Sequence, residues 1–178
     1  MMRSPSRRIT VSAALSAVGI MLGYIESFIV IPIRVPGLRI GLANIITVLG
    51  IYLLNPAEAA AVLFIRVALS ALLFGSPVSF IYSITGAVFA FAGMLFLSKR
   101  GFSVYGVSVF GAAVHNIAQI AAACVLVGSV YVVYYLPALI IAGVIAGLLI
   151  GFLSDVLIRK LGRFFRSTES EGKNDRLS

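Results

Sequence analysis

The chain has 178 residues, is 61% hydrophobic and 11% charged, and carries a mean hydropathy of +1.10 and a net charge of +8. A soluble domain is about 45–50% apolar and roughly 25% charged, so composition excludes an ordinary soluble fold and places the chain in a lipid bilayer. It also argues against nucleic-acid binding, because the basic residues gather at the chain ends and in short connections, as topogenic charge does, and not on one face of a soluble domain.

In chain order, apolar segments run over Ile9–Ile33, Leu38–Leu54, Ala57–Gly75, Val78–Leu97, Phe102–Val127 and Leu136–Ile158. Each is near the roughly 17–25 residues that cross about 30 Å of hydrocarbon as a helix. The breaks between them are Pro32 and Pro36, Asn55-Pro56, Gly75-Ser76-Pro77, Lys99-Arg100-Gly101 and the Gly128–Tyr135 stretch. The spacing predicts an all-α integral membrane protein, a bundle of six transmembrane helices over residues 9–160. The second segment is the shortest and leaves a partly re-entrant course open. Residues 1–8 precede the bundle. Residues 161–178 follow it as a tail whose last stretch, from Ser167, is polar, of mixed charge, and expected to be disordered. Arg3, Arg7 and Arg8 before the first segment suggest the head of a secretion signal, but the apolar run exceeds the roughly 7–15 residues of such a signal. They are expected to be a cytoplasmic anchor.

With the N-terminus in the cytoplasm, the inner side carries Arg3, Arg7, Arg8, Lys99, Arg100, Arg159, Lys160, Arg163 and Arg166. The outer side carries only Arg34 and Arg39. The distribution of Lys and Arg therefore predicts both termini inside, in a multi-pass protein of the plasma membrane. Arg34 and Arg39 leave two readings open. They snorkel to lipid headgroups, or they meet an anionic group at the mouth of a cavity.

Ionisable residues inside the apolar segments are costly, about 2.5–3.5 kcal/mol each on insertion scales. Glu26 lies in the outer half of the first segment. Arg66 lies roughly 14 Å into the third, near the midplane. Asn44 and Thr47 begin the second helix on one face; Arg66 and Ser70 share a face of the third; His115 and Gln119 stack four residues apart on the fifth, with Ser108 on the same stripe and Asn116 at its edge. Polar groups in lipid must find partners within the bundle. The pattern predicts one cavity, open to the outside, lined by Glu26, Asn44, Arg66, His115, Asn116 and Gln119. A structural ion pair between Glu26 and Arg66, with interhelical amide bonds elsewhere, is the alternative reading of the same residues.

The first helix has a second face. Ala13 and Ala17 form a small-xxx-small pair, with Ser16 and Gly19 nearby, and suit a close helix approach. At 100° per residue Ala17 and Glu26 point about 180° apart. Gly86, Ala90 and Gly93 give the fourth helix a similar stripe, read as internal packing. Catalytic signatures are missing from the sequence. There is no GxxxxGK[ST] nucleotide loop, no HExxH, and no Cys/His cluster, Cys124 being the lone cysteine. Asp155 and Asp175, near or beyond the end of the last segment, are the only aspartates, and a magnesium-diphosphate site needs several clustered carboxylates.

The stretch Ile31–Gly75 (IPIRVPGLRIGLANIITVLGIYLLNPAEAAAVLFIRVALSALLFG), followed by Ser76-Pro77, and the run Val114–Gln119 (VHNIAQ) resemble the family labelled heptaprenyl diphosphate synthase component I, or Gx transporter. Gly37–Asn44 (GLRIGLAN) is the most specific block, and the resemblance spans roughly residues 8–160. That family is similar to the substrate-binding S components of energy-coupling factor (ECF) transporters. The resemblance implies a six-helix fold with a substrate pocket near the outer surface, capped by the loop that holds Arg34 and Arg39. It implies docking through Ala13 and Ala17 to a transmembrane coupling subunit, and two cytoplasmic ATPases that use ATP. The chain itself is expected to hold no cofactor and no metal and to bind a small polar micronutrient. The enzyme label conflicts with the missing carboxylates. A membrane subunit for isoprenoid diphosphate synthesis and a stand-alone secondary transporter are the competing expectations.

Overall fold

Short polar signals divide the apolar sequence into helices. Asn55 opens the third: its side chain accepts the Glu58 N–H at 2.8 Å, the Glu58 carboxylate accepts the Asn55 N–H at 3.4 Å, and Pro56 stands at the first helical position, where no N–H is needed. Ser76 before Pro77 and Ser103 before Val104 cap the next two helices, accepting from Ser79 N–H and Gly106 N–H, each at 3.2 Å. Gly128 ends the fifth at φ +66°, a left-handed turn that favours glycine.

The computed structural model describes the backbone of residues 5–28 and 41–174. It contains α1 (Pro5–Ser27), α2 (Asn44–Leu53), α3 (Pro56–Phe74), α4 (Pro77–Lys99), α5 (Val104–Val127), a 3-10 segment (Val130–Tyr135) and α6 (Leu136–Asn174). Five of these helices are long and apolar enough to cross a membrane. The protein is an all-helical, multi-pass membrane protein of six helices among the described residues.

α2 departs from the sequence expectation. It begins at Asn44, six residues after Leu38, and its 10 residues span about 15 Å, half the hydrocarbon thickness. The helix cannot run back through Gly41, which sits at φ +87°. From there a tight turn leads in, with Asn44 N–H donating to Gly41 C=O at 2.8 Å and Ile45 N–H to Leu42 C=O at 3.2 Å. Residues 38–40 lie outside the described residues. α6 continues to Asn174, past the Ser167 at which disorder was expected. Once a helix exists, adding a residue to it costs far less than nucleating a new one.

α2 is the centre of the bundle. It touches α1, α3, α4, α5 and α6, while α1 packs on α3, α3 on α4, α4 on α5 and α5 on α6. A short, mostly apolar helix suits such a place, and Asn44, Ile46, Thr47, Val48, Leu49 and Gly50 are all buried. At the end that carries the termini, Arg8 pairs with Glu58 at 2.6 Å. At the far end, the rings of Tyr24 and Phe74 join α1 to α3, with centroids 4.6 Å apart and planes tilted by 48°. α5 and α6 meet most closely through Gly143, Gly147 and Gly151, a stripe with period four that the sequence reading did not single out. A methyl group on Gly147 would come within 2.8 Å of the Val109 Cα. Large apolar side chains such as Leu72, Val125 and Phe89 cover the outside, which a bilayer solvates and water does not.

Candidate functional site

Five helices send polar groups to one point in the far half of the bundle. Glu26 comes from α1, Asn44 from α2, Arg66 and Ser70 from α3, Ser83 from α4 and His115 from α5, and Gly41 closes the ring. Glu26, Asn44, Arg66, Ser70 and His115 are each 4–7% exposed. The cavity they enclose is about 20 Å³.

Glu26 is placed by the last turn of α1. Its Oε1 accepts the Gly41 N–H and, at 3.3 Å, the Leu42 N–H. The N-cap residue of α2, Ala43, has no side chain to offer, so the carboxylate caps the turn leading into α2 from another helix. Free N–H groups and the positive end of a helix dipole both favour an anion there. Arg66 reaches inward from the middle of α3 across α1. Gly19 makes the room: a methyl group at Gly19 would lie 2.6 Å from Arg66 Cδ and 3.3 Å from Ile46 Cγ1. Gly19 therefore belongs to the inner face of α1, together with buried Ser16, and not to the small-residue flank. Ala13 and Ala17 are exposed on the opposite side, as their phase against Glu26 requires.

His115 is fixed from two sides. Its Nε2 lies 2.9 Å from Gln119 Nε2, one turn along α5, and its Nδ1 lies against Gly86 of α4, where a methyl group would approach to 2.8 Å. Gln119 is fully buried and does not line the cavity; it orients the imidazole. Asn116 points elsewhere. Its Nδ2 donates to the Leu139 carbonyl at 2.6 Å, tying α5 to α6 in the space left by Gly143. Of the residues expected to form one site, Glu26, Asn44, Arg66 and His115 thus meet, Gln119 stands behind His115, and Asn116 faces α6. Arg34 and Arg39 lie outside the described residues.

Ser83, Gly41, Gly19 and Gly86 were not read as site residues. Ser83, Gly86 and Ala90 share one face of α4 by their spacing, so the small-residue stripe held the signal. Ser70 was visible as the partner of Arg66 in phase, and its Oγ is buried with no hydrogen-bond partner among the described residues. The site as built offers one carboxylate already held by backbone amides, a guanidinium, an imidazole, an amide and two hydroxyls in an apolar surround. Such a set orients and holds a polar group. Among the described residues no three His, Cys, Asp or Glu side chains come together as metal ligands.

A family model described as heptaprenyl diphosphate synthase component I matches residues 15–157, and the chain belongs to that family. No curated protein and no solved structure matches the chain.

Proposed function

We propose that this member of the heptaprenyl diphosphate synthase component I family is a membrane-embedded capture subunit, similar to an ECF S component, for ATP-driven uptake of a small molecule. The observation that carries the reading is the convergence of Glu26, Asn44, Arg66, Ser70, Ser83 and His115 on one buried cavity. Intramembrane charge is expensive, and when several elements deliver it to one point a polar occupant is the simplest reason for keeping it. The exposed basic residues Lys99, Arg100, Arg159, Lys160 and Arg163 all lie at the end that carries the termini. On the rule that favours basic residues in the cytoplasm, that end faces inward and the cavity lies toward the outside.

Energy comes from partners in this reading. The sequence has no nucleotide loop of its own, so ATP is hydrolysed by cytoplasmic subunits joined through a transmembrane coupling protein. The Ala13/Ala17 flank, exposed and opposite the cavity, is the surface that meets that protein. The chain acts as a binding subunit and not as an enzyme.

The family description supports a second reading, a membrane component of a prenyl diphosphate synthase complex. Co-expression separates the two. The capture reading expects retention of an ECF-type coupling subunit on the tagged chain and no change in prenyl transfer. Retention of a soluble prenyl synthase, with its activity raised, would replace capture with the second reading.

A further inference from the structure

At about 20 Å³ the polar cavity has room for little more than one water molecule. A group of a few atoms fills it, and the remainder of any larger ligand must lie outside. One wall is thin. Ala71 of α3 lines the cavity on one side and, on the other, a groove of about 440 Å³ between α3 and α4, bounded by Ala68, Leu72, Pro77 and Phe80. On α3, Ser70 faces the cavity and Leu72 the groove; on α4, Ser83 faces the cavity and Phe80 the groove. The seam between these helices passes from polar to apolar at Ala71.

Charge at the cavity is sorted as well. The Glu26 carboxylate is held by the Gly41 and Leu42 amides. Arg66 supplies a planar guanidinium suited to two-pronged binding of an oxyanion, and one helical turn away stands the buried Ser70 hydroxyl, without an acceptor or donor among the described residues. A buried hydroxyl in that state calls for a partner.

We propose that the ligand is an amphiphile. Its head is a small oxyanion, carboxylate or phosphate, held by Arg66 and Ser70. Its apolar chain passes Ala71 and lies in the α3–α4 groove. This rests on the capture reading and narrows its substrate class.

The test is calorimetric titration of the full chain in lipid nanodiscs. The probes are acetate and straight-chain carboxylates, and inorganic phosphate and straight-chain alkyl phosphates, each corrected for partition into empty nanodiscs. Affinity is expected to rise about three- to fourfold per methylene until the groove is filled, and the better of the two series identifies the head. Ala71→Leu is expected to remove the slope. Ser70→Ala is expected to weaken every member severalfold while leaving the slope, and Arg66→Gln to abolish binding throughout. A flat series in the wild type, an unaltered slope in Ala71→Leu, or long chains that bind Arg66→Gln as well as the wild type would each overturn the proposal; the last would make the groove a lipid site only. If the amphiphile fails while a small polar molecule still copurifies with the protein, the capture reading survives. If no probe binds and nothing copurifies, both fall.

Discussion

Gly86 of α4 lies against the imidazole of His115 on α5: a methyl group on Gly86 would stand 2.8 Å from His115 Nδ1 and 2.9 Å from Gln119 Cγ. The missing side chain on one helix sets the position of a cavity residue on the next. The ring cannot retreat freely, because Gln119 holds its other nitrogen at 2.9 Å.

Gly86→Ala is therefore expected to push His115 off its place and weaken ligand binding at least tenfold. Overpacking of this kind costs about 1–3 kcal/mol in stability. Affinity for the copurifying molecule and thermal unfolding in detergent are the two readouts. Unchanged affinity in Gly86→Ala would detach His115 from binding.

Glu26 is expected to matter first for the architecture. Glu26→Ala removes a charged acceptor from the Gly41 and Leu42 N–H groups, a loss of about 1.5–3 kcal/mol for bonds to a charged group. Gly41→Ala is expected to cost roughly 1–2 kcal/mol from its left-handed backbone alone, with Asn44 Nδ2 only 3.1 Å from the added carbon. Thermal unfolding of the purified variants reads both. A Glu26→Ala protein of full stability would place the carboxylate in ligand contact and not in the turn.

Asn116 and Asn44 make a contrasting pair. Asn116→Ala breaks the 2.6 Å bond to Leu139 and leaves that carbonyl without its amide, so it is expected to lose about 1–3 kcal/mol of stability and keep its affinity. Asn44→Ala is expected to keep most of its stability and lose affinity. The reverse pattern would move the binding site to the α5–α6 seam.

Much of this was legible in the chain. The breaks at Asn55-Pro56, Gly75-Ser76-Pro77 and Lys99-Arg100-Gly101 marked the starts of α3, α4 and α5 to within a few residues, because local backbone chemistry decides them. Helical phase placed Glu26 inside and Ala13 and Ala17 outside. The start of α2 was not legible, since a left-handed Gly41 and a cap supplied by Glu26 from 15 residues away leave no local trace. Phase also could not separate Asn116 from His115: adjacent residues lie about 100° apart, and only the position of α6 decides that the amide faces Leu139. The glycines that make room for Arg66 and His115 carry no polar signal at all.

The exposed flank of α1 predicts a separation of functions. Ala13→Trp and Ala17→Trp are expected to retain ligand binding and to lose both retention of an ECF-type coupling subunit and ATP-dependent uptake, because a large side chain holds two closely crossing helices apart. Pull-down and vesicle uptake check this. Unaltered uptake in both variants would take the docking role from this face.

The most direct measurement is mass spectrometry of what the purified protein releases on denaturation, comparing the wild type with Arg66→Gln at matched monomer yield. One small molecule near one equivalent is expected in the wild type, reduced at least tenfold in the variant. Equal amounts in both proteins, or none in either, would contradict the claim that the cavity around Arg66 captures a substrate.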